Sequence, residues 1–592
     1  MLKNFPEAQR ELEEAIRSES DKEALWKHVE YLCSIGEKFS GTPEEKKACD
    51  YIVEQIRKEG IPIDVHEFDA YISYPSHDRS KDVEFKILSQ QEIVINCQSH
   101  AMSGSTQGII REIVDVGAGD QSDYEGKDVK DKIVLVDFAA LWAPERLLTA
   151  MEKGAAAQIT ISGDPVIHDM VVTTVWGSPS RESANRIPNI PIISVTRDDG
   201  IKIREMCKNG PIKASLKVNI WKGWPKILLP VVTIKGNEES DKYFLIHGHY
   251  CSWGEGMTDN VGGNAQFIEM AKIFWKHRKN LRRGIKIAWW PGHSMGRYAG
   301  STWFVDKYWE DLYKNCIGQM NIDSPGVIGA TEWVSSSSSE LRDFNRANVT
   351  DYEQTLVKQP IKVANNTWVF RAGDQSFQGI GIARVGCNQN IPDDSPLKGK
   401  TTGGGAGGWW WHTLQDTLDK GDKQNLHKLM EVNMTTVVRI VNERILPYNF
   451  EPVADDYIKT LTDLNESAKG TFVINGLIIK AQELKKASQN LEKARLNMSN
   501  DPGMDPNELN DTLLKMIRIL TPPYCVQGDR FEQDPAIRIP PLPNLTRLRE
   551  LPNMDQRSDE ARFLKNSLTR EYNRIYHALE SAISLTNNIT SG

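Results

Sequence analysis

Residues 243–274 read YFLIHGHYCSWGEGMTDNVGGNAQFIEMAKIF, residues 285–304 read IKIAWWPGHSMGRYAGSTWF and residues 318–326 read GQMNIDSPG. The runs 243–246 and 285–290 are short, β-branched or aromatic, and bounded by Gly or Pro, which predicts buried strands of an α/β sheet. A weaker run at 318–322 predicts a third. Open α/β sheets bind ligands at the carboxyl ends of their strands, and polar side chains follow each run there. They are His247, His249 and Cys251 after the first, His293 and Ser294 after the second, and Asp323 after the third. Between the first two, Thr258-Asp259-Asn260 precedes a segment with Ala265, Ile268, Ala271 and Phe274 on one helical face, so Asp259 sits near a helix N-terminus. His412, in Trp411-His412-Thr413, adds one more imidazole.

Neutral imidazole and carboxylate both suit zinc, and His, Asp, Asp and His gathered from separate strand ends form a plausible ligand set. Singly, each has a plainer reading: an Asp before a helix is a cap, and a His after a strand is a satisfied core residue. Their order along the chain, however, resembles the zinc aminopeptidase and glutamate-carboxypeptidase superfamily that also contains the transferrin receptor. The matching phrases are His249-Tyr250-Cys251, Thr258-Asp259-Asn260, Pro291-Gly292-His293-Ser294 leading to Gly300-Ser301-Thr302-Trp303, Asn321-Ile322-Asp323, and His412 through Thr417. The resemblance implies that Asp259 bridges two metals, that His249 and Asp323 complete one, and that His412 belongs to the other.

Two departures stand out. The family's H-x-D aspartate is Cys251 here, which becomes a buried thiol beside the ligands. The Glu-Glu pair, normally a general base followed by a ligand, is replaced around His293-Ser294, so His293 becomes the candidate for either task. Two zinc ions carry a charge that the family answers with three carboxylates; two are in register here, which favours one metal or a weak second site. His247 stands where the family has a small residue, as an added ligand or a hydrogen-bonding neighbour of the set.

A chain of 592 residues is too long for one core and divides into roughly three to four domains. With the resemblance, the expected class is α/β: a mixed-sheet zinc-exopeptidase-like catalytic domain with a β-rich inserted protease-associated domain and a C-terminal helical domain. The expected spans are 1–110 and 226–448 for the catalytic domain, 111–225 for the insert, and 449–592 for helices. The insert is read from short apolar strands at 132–136, 157–161 and 190–195. The last span is read from three- and four-residue apolar spacing at 472–498, 507–520 and 558–585, interrupted at Pro522-Pro523. In the superfamily such helices mediate homodimerisation, and a homodimer is expected.

The net charge of −8 is spread over interspersed acidic and basic residues. No basic stripe calls for nucleic acid. No apolar run approaches the ~20 residues of a membrane span, and the charged first twenty residues do not read as a signal peptide. Eight cysteines without a CxxC pair suit reduced thiols and a cytoplasmic location.

Ser40-Gly41-Thr42-Pro43 opens a capped helix. Arg371 and Asp374, in a segment resembling the family's S-D-x-x-x-F phrase, are substrate-pocket candidates. The run 335–339 is all serine and reads as flexible. Glycines at 403–408 let their loop pack closely and aim His412 inward, and among Trp409, Trp410 and Trp411 at least one, Trp411 by preference, faces substrate because three adjacent rings cannot share one core. Three functions stay open: a zinc-dependent hydrolase of a peptide or peptide-like amide, a related metalloenzyme acting on a non-peptide molecule, and a catalytically inactive, transferrin-receptor-like binding dimer.

Overall fold

The computed structural model describes residues 6–89, 91–137, 144–364, 373–400, 403–501 and 503–590. Its central element is a five-stranded mixed sheet built from β1 (Ile63–Asp69), β2 (Lys226–Ile234), β3 (Glu239–His249), β4 (Arg283–Trp290) and β5 (Cys316–Asn321), in the order β1-β2-β4-β3-β5. β3 pairs in parallel with both β4 and β5, with His249 opposite Trp290 and His247 opposite Asn321. The three carboxyl ends therefore lie along one edge. The chain steps from β3 to β4 on one side and then crosses back to β5 on the other, the topology that opens a crevice at strand ends.

Alternation of side chains sends Phe244, Ile246, Ile285, Ile287 and Trp289 to one face, where helices Pro43–Lys58, Gly262–His277 and Lys423–Asn442 cover them. Tyr243, Leu245, Ala288 and Trp290 go to the other, under Phe304 and Val305 of helix Ala299–Lys307. Burial on both faces explains why these strands read as continuous apolar runs. Full burial of such a side chain stabilises by about 1.5–3 kcal/mol. Thr42 caps helix Pro43–Lys58 by accepting from the Glu45 amide, with Pro43 in the first turn.

Between β1 and β2 the chain builds a separate eight-stranded sheet from strands lying between Val83 and Val218. Residues 83–110, expected in the first part of the catalytic domain, belong to this sheet instead. Val83, Phe85 and Ile87 point into its core, and their strand pairs with Lys213–Val218, Phe85 opposite Leu216. The strands here are short and half exposed, so their apolar pattern is weaker than that of the runs at 133–137 and 157–161.

The serine run is a second correction. Glu332–Ser337 is a strand of a three-stranded sheet; Ser335 is buried and bonds Asn345 Oδ1 at 2.7 Å. A serine run reads as flexible only when its hydroxyls face water, and here they find fixed partners.

The last part of the chain is helical: Glu451–Ser467, Asn475–Asn500, Asn507–Cys525 and Asp559–Thr590. Helix Asn507–Cys525 runs through Pro522 and Pro523. Proline removes an amide, and the Arg518 carbonyl that Pro522 cannot reach accepts instead from Arg530 Nη2 at 3.3 Å. Leu509, Leu513, Met516 and Leu520 join the same core as Ile317 and Met320 of β5, so the helices are packed onto the five-stranded sheet. Among the described residues no helix is long and apolar enough to cross a membrane.

Candidate metal centre

His249 is the last residue of β3 and is buried. Its Nδ1 lies 2.9 Å from the Cys251 carbonyl. A carbonyl only accepts, so Nδ1 carries the proton and Nε2 is left with its lone pair in the neutral ring. That Nε2 faces Asp259 Oδ1 at 3.0 Å and Asp323 Oδ1 at 3.7 Å. Asp259 lies in the turn Met257–Val261 that leads into helix Gly262–His277, with extended backbone (φ −142°) that turns its side chain toward the sheet edge.

His412 repeats the arrangement from the other side. Its Nδ1 donates to the Asp169 carbonyl at 2.6 Å, and its Nε2 meets the second oxygen of Asp259, Oδ2, at 3.0 Å. The backbone of His412 has φ +57°, and its ring stacks on Trp411 at 3.7 Å. Two imidazoles thus present lone pairs to the two oxygens of one buried carboxylate, and Asp259 Oδ2 has no hydrogen-bond donor. Acceptor facing acceptor in a buried site is costly unless a proton or a cation lies between. The donor set therefore fits a divalent metal of the zinc type, held by imidazole nitrogen and carboxylate oxygen.

His293 follows the Pro291-Gly292 turn after β4. Gly292 has φ +65°, and its amide donates to Ser40 Oγ at 2.8 Å, which ties the turn to the segment before helix Pro43–Lys58. The His293 ring lies parallel to that of His249, with centroids 3.9 Å apart, and takes the edge of Tyr298 at 4.2 Å. One ligand atom each of His249, His293 and Asp323 falls within a 4.8 Å cluster.

Electrostatics follow from this packing. Burial alone would lower His249, but Asp259 and Asp323 outweigh it and hold its imidazole well above the usual value. Burial would raise Asp259, yet His249 and His412 keep it well below the carboxylate range. His293 is pushed well down, by burial first and then by the charge on His249. Without a cation one proton serves the His249–Asp259 pair and His293 stays neutral.

His247 is not an added ligand. Its Nε2 bonds Gln319 Oε1 at 2.8 Å and its Nδ1 accepts from Trp290 Nε1 at 2.9 Å, so both ring nitrogens are occupied in the core. Cys251 is buried beside His249, its carbonyl fixing the tautomer of that ring. The tryptophan expectation needs correction. Trp410 packs with Val327, Ala330 and Ile391, whereas Trp411, 6% exposed, enters the core of the eight-stranded sheet with Val116, Val136 and Val172. Three adjacent rings indeed do not share one core, but the inserted sheet supplies the second, so Trp411, expected to face substrate, packs there and stacks on His412. Gly404 makes this possible, since a Cβ there would lie 2.4 Å from Trp411 Nε1. Arg371 and the side chain of Asp374 lie outside the described residues.

The inserted sheet reaches the site by two routes that sequence patterns did not reveal. Trp176 stacks on Tyr298 at 4.0 Å and donates to Ser376 Oγ at 2.9 Å. The Asp169 amide also donates to the His412 carbonyl at 2.7 Å, so the two residues pair both ways along their backbones.

Residues 231–437 match the model of the family described as Peptidase family M28. A probable glutamate carboxypeptidase of Zea mays is similar over 582 residues at 24% identity, covering 84% of this chain and 78% of the relative. An aminopeptidase of Bacillus subtilis (strain 168) is 22% identical over 423 residues, 70% of this chain and 83% of its own. Among solved structures, a zinc aminopeptidase from Bacillus subtilis superposes with a TM-score of 0.55 at 19% identity, over 72% of this chain and 96% of that one. At that identity the superposition establishes the fold.

Proposed function

We propose that this chain, which belongs to peptidase family M28, is a metal-dependent hydrolase of amide bonds in peptides or peptide-like molecules. The observation that carries the reading is the opposition of two tautomer-fixed imidazoles, His249 and His412, to the two oxygens of Asp259. In this reading His249, His293, Asp323, Asp259 and His412 are the residues that would hold the metal. Zinc bound there would supply Lewis acidity toward a carbonyl and toward water.

The residues of the chain do the rest. The Cys251 and Asp169 carbonyls hold the Nδ1 atoms of His249 and His412 and aim their Nε2 atoms at Asp259. His293 stays neutral and can ligate without competing for a proton. Tyr298, packed between His293 and Trp176, buttresses the His293 ring. The helices at Asn475–Asn500 and Asp559–Thr590 are the proposed surface for homodimer formation, supported by exposed Ile479 and Phe563.

The test is metal analysis of protein purified without added metal, together with hydrolysis of aminoacyl and peptidyl amides with and without chelator. About one equivalent of zinc per chain is expected, lost in His249→Ala together with turnover. A wild type that is metal-free and takes up no zinc overturns the reading.

A further inference from the structure

Arg79 lies far from the sheet edge in sequence, at the entry to the inserted sheet, yet it stands at the joint between that sheet and both histidine loops. Its guanidinium is enclosed between two buried carboxylates. Nη2 bonds Asp169 Oδ2 at 2.9 Å and Nε bonds Asp169 Oδ1 at 3.3 Å; Nη1 bonds Glu37 Oε2 at 2.9 Å. Gln98 also donates to Asp169 Oδ1. Glu37 in turn accepts the Gly254 amide at 3.1 Å, five residues beyond His249. The same guanidinium lies over the rings of Phe39 and Trp253, and Trp253 turns toward His412.

Asp169 is therefore fixed at its side chain by Arg79 and joined at its backbone, in both directions, to His412. Next to it, His168 Nδ1 donates to the Trp411 carbonyl at 2.5 Å. An imidazole that must present one nitrogen to a metal needs its other nitrogen held, and such supporting partners typically change metal affinity by about 10–100-fold. A planar fork between two carboxylates suits arginine in a way that lysine does not.

We infer that Arg79, acting through Asp169, is a positioning residue for His412, so that the inserted sheet sets the geometry of the centre. The inference rests on the metal-hydrolase reading for its consequence, and on hydrogen bonds alone for its geometry. Removing Arg79 would leave Glu37 and Asp169 buried without a counter-charge, a change that threatens folding. The milder Asp169→Asn weakens the clamp while keeping the backbone carbonyl.

The experiment measures zinc affinity by chelator competition for Asp169→Asn and Arg79→Met, each in the wild-type and His412→Ala backgrounds. It also follows the His412 Nδ1–H signal by NMR of ring-labelled protein, assigned by its loss in His412→Ala. The expected result is a loss of about 10–100-fold in zinc affinity that disappears in the His412→Ala background, together with a shifted or faster-exchanging Nδ1–H. An equal loss in both backgrounds, no loss, or an unchanged Nδ1–H signal overturns the assignment. If wild type binds no zinc, the metal reading fails, and the NMR signal still decides whether Arg79 and Asp169 hold His412.

Discussion

Two buried clusters of charge lie around the five-stranded sheet and its helices, and they are built on opposite rules. Around Arg439, Glu13 accepts from Nε and Nη2 at 2.8 Å each, Asp351 accepts at 2.5 Å, and Asn348 Oδ1 takes Nη1 at 3.1 Å. Every acceptor there meets a donor. Around Asp259, two imidazoles whose Nδ1 atoms are held by backbone carbonyls turn their Nε2 atoms to the two carboxylate oxygens, and each contact calls for a proton or a cation. The first cluster is electrically closed and fastens the helix Glu7–Ser18 to helix Lys423–Asn442. The second is open by one cation. Burial and charge alone do not separate a structural network from a site; the direction of the donors does.

That contrast is broken most severely by removing the shared acceptor. Asp259→Asn replaces one oxygen by an amide that donates to one imidazole and so relieves one of the two contacts without metal; loss of zinc binding is expected, with thermal stability held or raised. Retained stoichiometric zinc by elemental analysis would show that Asp259 is not central. At the closed cluster the sign reverses. Glu13→Gln should leave zinc content untouched and destabilise by about 3–5 kcal/mol, the cost of breaking a buried pair, read from chemical denaturation.

A titration extends the comparison to a buried imidazole that has no carboxylate beside it. His100, in the inserted sheet, is fully buried with Nε2 on Ser194 Oγ at 2.7 Å, and burial pushes its pKa down to about 3. The unfolded chain titrates it near 6.5. Between those values the unfolded state binds the extra proton, so this stability is complete above 6.5 and is lost as pH falls toward 3. The slope is about 1.4 kcal/mol per pH unit. His100→Gln should flatten the acid arm of stability against pH by about that slope; an identical arm would place the lost proton elsewhere. The smallest effect is expected at His247, whose two nitrogens are taken by Gln319 and Trp290. His247→Gln should change zinc affinity by less than the ~10-fold lower bound of a supporting partner, and a larger drop in a chelator titration would restore it to the centre.

His247 and His249 sit two residues apart on one strand; the resemblance made His249 a ligand and left His247 open as an added ligand or a hydrogen-bonding neighbour. The strand ends were legible because apolar runs bounded by Gly and Pro report where chain leaves a buried sheet, and the order of His249, Asp259, Asp323 and His412 carried the resemblance. What separated the two imidazoles was the partner each meets across the sheet, Gln319 from β5 in one case and Asp259 from a turn in the other. Trp411 misled for the same reason. Its neighbours Val116 and Val136 come from a sheet whose first strands, at 83–99, are too short and exposed for their pattern to mark the boundary.

The sequence by itself determined the α/β class, the three strand ends and the residue types gathered there, because side-chain periodicity and local turn chemistry are properties of contiguous residues. The tertiary structure alone decided which nitrogen of each histidine is free, that His293 stacks on His249, and that Arg79 and Asp169 stand behind His412. Those partners are separated by tens to hundreds of positions along the chain, and a hydrogen bond between them exists only after both domains have closed around it. Local pattern carries no information about that choice, because Asp169 next to a histidine and Arg79 in a polar turn read like any solvated pair until the fold removes the water.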